Sequence, residues 1–80
     1  MDTALKLDIE KATYELRCMA IRSEDLEKQL KTMKEHINEY GMKAETELSL
    51  AMLELLIEKH ELAKKEVRMQ LMFMYKKSVK

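Results

Sequence analysis

His36, His60 and Cys18 are the only imidazole and thiol side chains in the sequence, and such groups can bind a metal ion or act as nucleophiles near neutral pH. A metal site of the di-iron kind in a helical bundle uses a Glu three residues before a His on facing helices. Met33 and Ile57 occupy that position before the two histidines. A nucleophilic Cys needs a His nearby in space, whereas a chain folded back at Gly41 places Lys64 beside Cys18. We therefore predict no catalytic residue, metal site or cofactor site, and a protein that is not an enzyme.

The composition predicts that the secondary structure consists of long helices. The chain has 80 residues with one Gly and no Pro, and 46% of the residues are hydrophobic while 38% are charged. Its dominant residues (Leu, Met, Glu, Lys and Ala) are strong helix formers, and sheets need turn residues that are nearly absent. We predict one all-α domain over residues 1–80.

The location of the protein is predicted from its cysteine content and its hydropathy. A single Cys excludes an internal disulfide and favours a reducing compartment. No apolar run approaches the roughly 18 residues of a membrane span. The first residues, MDTALKLDIEK, contain acidic groups where a signal peptide needs a basic segment and an apolar core. These features predict a cytoplasmic protein without a membrane span.

Helix 1 is predicted over about residues 3–40 by a heptad seam that keeps its register. Ser23 is the one seam residue that is not apolar, and Gly41 follows the last seam position. Because Gly commonly ends helices in the left-handed region, we predict the turn at Gly41. The eleven seam residues are Leu5, Ile9, Ala12, Leu16, Met19, Ser23, Leu26, Leu30, Met33, Ile37 and Tyr40.

Helix 2 is predicted over about residues 43–78, with an apolar face too broad for one neighbouring helix. Leu50 and Ile57 fall outside this face. We therefore expect helix 2 to contact two helices. One stripe of the face holds Ala51, Leu55, Leu62, Met69 and Phe73, and a second holds Leu56, Ala63, Val67 and Met74.

Two architectures are compatible with one Gly between two long helices. In the first, the chain folds back as an antiparallel, coiled-coil-like hairpin, which places residue i near residue 82 − i and Cys18 near Lys64. In the second, one continuous helix of about 120 Å forms a parallel coiled coil. We favour the hairpin because the seam of helix 1 does not continue past Gly41. The broad face of helix 2 further predicts a homodimer, in which two hairpins form a four-helix bundle.

An apolar patch is predicted where a solvated surface would be polar. Leu7, Tyr14 and Ile21 occupy the heptad positions of helix 1 that point away from its seam. Exposed apolar patches mark interfaces. The sequence leaves open whether this patch binds a foreign protein or a second copy. The predicted partner-binding residues are Leu7, Tyr14, Cys18, Ile21, Met72 and Tyr75.

The sequence is compatible with three functions. The leading prediction is a small protein-protein interaction module, such as a regulator, inhibitor or adaptor. The net charge is zero, but the last seventeen residues contain six basic groups and one acidic group. They could bind RNA as part of a dimeric bundle, or pair with the acidic start of helix 1. A structural coiled-coil segment is the third possibility. The candidate nucleic-acid residues are Lys64, Lys65, Arg68, Lys76 and Lys77.

Overall fold

The structure, a computed structural model, describes residues 2–79 as two helices that pack against each other in a hairpin. Helix α1 spans Thr3–Tyr40 and helix α2 spans Ala44–Ser78. The molecule measures 58 × 15 × 14 Å, which is about the length of a single helix of this size. The chain therefore folds back after α1, and the continuous helix of about 120 Å is not formed.

Helix α1 has a defined cap at each end. The Asp2 side chain accepts a hydrogen bond of 3.2 Å from the backbone N–H of Ala4, which satisfies a donor that the helix leaves free. At the other end, the Gly41 N–H donates to the carbonyl of Ile37 at 2.7 Å. Gly41 has φ 85° and ψ 171°. The positive φ agrees with the prediction, but the extended ψ lies outside the left-handed helical region, in a region essentially restricted to glycine.

Helix α2 begins without a side-chain cap. Lys43 is extended at its start and its side chain makes no capping hydrogen bond, while its carbonyl accepts from the Glu47 N–H at 2.9 Å. Glu45 and Glu47 lie in the first turn, and Lys76 and Lys77 lie in the last. Acidic groups at the start and basic groups at the end are both favourable with the helix dipole, so charge contributes at the N-terminus where the cap is missing.

The predicted seam of α1 faces α2. Ile9, Ala12 and Leu26 are buried, and the other seven seam residues from Leu5 to Ile37 are half-buried. The last predicted seam residue, Tyr40, is 64% exposed. The seam prediction is therefore confirmed up to Ile37.

The packing face of α2 coincides with the predicted one only in part, at Val67 and Met74 of the second stripe. Leu50 and Ile57, which the sequence analysis placed outside the apolar face, are half-buried in the interface, while Leu55 and Leu62 are at least half exposed. Buried or half-buried residues recur along α2 at alternating steps of four and three, the mark of a second heptad seam. Its members are Thr46, Leu50, Leu53, Ile57, His60, Lys64, Val67, Leu71, Met74 and Ser78.

This difference has a physical cause. The seam of α2 contains polar residues at its start and in its middle, namely Thr46, His60 and Lys64. The large apolar residues Leu, Met and Phe are consequently more frequent on the outer side of α2 than along its seam. Polar residues occupy an interface when they find partners there, and a sequence pattern does not reveal those partners.

Candidate interaction surfaces

A polar cluster interrupts the apolar interface between the helices. The Lys64 ammonium donates a hydrogen bond of 2.9 Å to Ser23 Oγ on α1, and it forms an ion pair of 3.0 Å with Glu61 Oε1. Ser23 Oγ in turn lies 3.4 Å from Glu61 Oε1. Lys64 is only 8% exposed, so it is a core residue. Its charge is compensated by the Glu61 carboxylate and the Ser23 hydroxyl.

His60 adds a second polar contact, one helical turn away. Its Nε2 lies 2.8 Å from the backbone carbonyl of Met19 on α1. A carbonyl oxygen only accepts hydrogen bonds, so this contact requires the Nε2 atom to carry the proton. Within residues 2–79, every buried side-chain nitrogen or oxygen has a hydrogen-bond partner. We name Ser23, His60, Glu61 and Lys64 the polar layer.

The polar layer changes the acidity of one of its members. The hydrogen bond from Lys64 is the main cause that lowers the pKa of the Glu61 carboxyl below its ordinary value of 4.5. A lowered pKa in the folded state means that the contribution to stability is present above the ordinary value and is lost as the pH falls through the lowered one. Glu61 is exposed, so solvent screens this contribution.

The remaining groups that could do chemistry do not meet. His36 packs against Tyr40 with a ring separation of 4.8 Å, near the turn. Cys18 is exposed on α1, and Lys64, its expected neighbour, turns to Ser23 instead. Within the described residues, no group of three or more His, Cys, Asp or Glu side chains is placed to hold a metal ion.

The predicted partner-binding residues are all exposed, and they form two groups. Leu7, Tyr14 and Ile21 form a stripe on the side of α1 that faces away from α2, with exposures of 53%, 70% and 62%. Cys18 is exposed on the same helix. The second group, Met72 and Tyr75, is exposed near the end of α2. We call the first group, with Cys18, the α1 patch.

The predicted nucleic-acid residues are divided by the fold. Lys64 belongs to the polar layer and is not presented to a ligand. The other four, Lys65, Arg68, Lys76 and Lys77, are exposed on α2. Lys76 lies over the ring of Phe73, with its ammonium 6.0 Å from the ring centroid.

A further apolar surface covers the side of α2 that faces away from α1, and we call it the outer face of α2. Leu55, Leu62, Met69 and Phe73 belong to the first stripe of the sequence analysis, which expected helix 2 to contact two helices. Leu48 and Met52 extend it toward the turn. A 4,3 spacing signals it in the sequence, because these residues form a heptad stripe offset from the real seam. Its large apolar residues, each between 49% and 64% exposed, are Leu48, Met52, Leu55, Leu62, Met69 and Phe73.

Comparison with other proteins adds no relative to this description. No family model matches the chain, and neither a curated protein nor a solved structure matches it. Neither helix, over residues 2–79, is long and apolar enough to cross a bilayer.

Proposed function

We propose that this hairpin is a non-enzymatic protein–protein interaction module of the cytoplasm, which forms a homodimer of four helices and binds a foreign protein. The observation that carries the proposal is the distribution of apolar side chains. The contact between α1 and α2 buries five hydrophobic residues, whereas fifteen large hydrophobic residues among residues 2–79 are exposed. Exposed apolar surface on this scale marks interaction sites.

The position of these residues supports two separate contacts. The α1 patch and the outer face of α2 lie on sides of the hairpin that face away from each other, so one flat partner does not cover both. A second copy on one side and a foreign protein on the other accounts for both surfaces. Such a module acts as a regulator, inhibitor or adaptor, by covering a surface of its partner or by holding two proteins together.

The α1 patch is the proposed site for the foreign protein, and Tyr14→Glu and Ile21→Glu test it. A charge in the centre of an apolar contact is costly to bury, so each variant should lower capture of the partner from the native host by about tenfold or more. Capture is measured by quantitative affinity purification with the purified, tagged chain, and the oligomeric mass is measured on the same samples.

Lys28→Glu is the matched control, because Lys28 is an exposed residue of α1 that lies at the same heptad position, beyond the patch. It introduces the same charge on the same side of the helix and should leave capture unchanged. Full capture by both patch variants, at an unchanged oligomeric mass, would show that the α1 patch is not the binding site.

Nucleic-acid binding is the second candidate, supported by the exposed basic groups Lys65, Arg68, Lys76 and Lys77. Binding to looped or duplex RNA that weakens steeply with salt would favour it over the interaction module. No gel shift at low salt would remove it. Nuclease treatment of the captured material separates a protein partner from one held through RNA.

A further inference from the structure

The outer face of α2 contains a row of four residues whose chemistry is self-complementary. Met52, Lys59, Glu66 and Phe73 recur every seven residues, so they follow one line along the helix. All four are exposed. In order, they are apolar, basic, acidic and apolar. Read in the reverse direction, apolar residues meet apolar residues and each charge meets its opposite.

We propose that this face binds α2 of a second copy in antiparallel orientation, with a two-fold axis that passes between Leu62 and Ala63. The inference rests on the proposed homodimer and is independent of the foreign protein. The two α2 helices lie in the middle of the four-helix assembly, and the α1 helices lie outside. The α1 patch stays free for another protein.

The axis places complementary residues opposite each other. Met52 lies opposite Phe73 of the second copy, and Lys59 lies opposite Glu66 of the second copy. Between these levels, the side chain of Leu62 meets the small Ala63 of the second copy. A parallel pair in register would instead place Lys59 on Lys59 and Glu66 on Glu66, and such like-charge contacts are unfavourable.

Two shallow grooves on α2 agree with the same axis. The first is lined by Met52, Leu53, Leu55, Leu56 and Lys59. The second is lined by Met69, Met72, Phe73 and Lys76. The axis places these two stretches of α2 opposite each other in the two copies. The Phe73 side chain of each copy therefore faces the first groove of the other. Flexible Met side chains suit such contacts because they adapt to the shape of an incoming ring.

The size of the surface sets the expected strength. From Leu48 to Phe73 the face is about 38 Å long, and a helix contact is about 10 Å wide. The resulting area of about 380 Å² on each copy is roughly half of what a specific interface typically buries on each partner, which is about 800 Å². We therefore expect a dimer that dissociates in the micromolar range, as weak interfaces do.

Charge reversal tests both the interface and its orientation. Lys59→Glu and Glu66→Lys each create two like-charge contacts across the axis. Each should raise the dissociation constant about tenfold. The double variant K59E/E66K restores opposite charges and should return to within about threefold of the unchanged protein. The measurement is analytical ultracentrifugation of the full chain at low salt over a range of concentrations.

Glu58 and Lys65 supply the control, since they are exposed, lie seven residues apart on α2 and are not in the row. Glu58→Lys and Lys65→Glu should leave the dissociation constant unchanged. A monomer at every concentration would overturn the interface and the proposed homodimer together. A dimer that ignores the single reversals, or that the double variant fails to restore, would overturn this interface and leave the homodimer standing.

Disulfide trapping gives a second, independent measurement. In a Cys18→Ser background, Leu62→Cys places a thiol beside the axis, close to its own copy, and should cross-link under mild oxidation. Met52→Cys places the two thiols near opposite ends of the paired helices and should not. Cross-linking of Met52→Cys at an equal rate would indicate a parallel pair and contradict the proposal.

Discussion

Gly41 is the residue on which the hairpin turns. With φ 85° and ψ 171°, its backbone lies in a region that side chains with a Cβ rarely adopt. No atom lies within 4 Å of a Cβ placed there, so steric contact with the rest of the molecule does not require glycine. The requirement is purely one of backbone conformation.

We therefore expect Gly41→Ala to lower the free energy of unfolding by about 1–3 kcal/mol, measured by urea denaturation. A chemically synthesised chain with D-alanine at position 41 is the matched control, since a D residue favours positive φ and should keep most of the stability. Equal stability of Gly41→Ala and the unchanged protein would contradict the observed turn conformation.

At the scale of the helices, the polar layer fixes how α1 lies against α2. An apolar heptad seam allows neighbouring registers of similar energy, whereas a buried polar group is satisfied in one register only. Lys64 contacts Ser23, and His60 contacts the Met19 carbonyl. Both contacts require one particular register of α2 along α1. The layer therefore gives specificity to a hairpin whose apolar contacts are few.

Replacing Lys64 tests how its buried charge contributes to the free energy of unfolding. Lys64→Leu should leave the free energy of unfolding unchanged or raise it by up to about 1 kcal/mol, because a buried charge is exchanged for apolar packing. Lys64→Ala should lower it by about 1–2 kcal/mol, because the aliphatic stem and both polar contacts are lost. Urea denaturation measures both.

Lys65→Leu, at the exposed neighbouring position, controls for the added leucine and should change stability by less than about 0.5 kcal/mol. An equal loss in Lys64→Leu and Lys64→Ala would mean that the ammonium contacts themselves stabilise the hairpin.

At the scale of the whole molecule, the hairpin has a thin core. Two helices in one layer bury five hydrophobic side chains, and none of the described side chains is completely enclosed. Small domains of this kind are marginal alone and gain stability by association. The exposed outer face of α2 is the surface that we propose for that association.

This predicts that thermal stability depends on protein concentration. Association that favours the folded state raises the midpoint by mass action. We expect the Tm, followed by circular dichroism at low salt, to rise over a hundredfold increase in concentration, and to rise less for Lys59→Glu. A Tm independent of concentration in both proteins would show that folding is not coupled to dimer formation.

Much of the fold follows from local properties of the sequence. The α1 seam is apolar at nearly every position, so its periodicity identified the buried face, and Gly41 marked the turn. The α2 seam was identified only in part, at Val67 and Met74, because Thr46, His60 and Lys64 interrupt it. The exposure of Leu7, Tyr14 and Ile21 was predictable, since it follows from the α1 register alone.

By itself, the sequence determined that the chain forms two helices and that its apolar surface exceeds what one helix contact buries. Composition, periodicity and one glycine decide these properties within each helix. Only the tertiary structure decided which face of α2 meets α1, and that Lys64 is a core residue and not a surface cation. The physical reason is that a polar side chain is buried only when a partner on another element satisfies it. That partner becomes visible when the two helices are placed side by side.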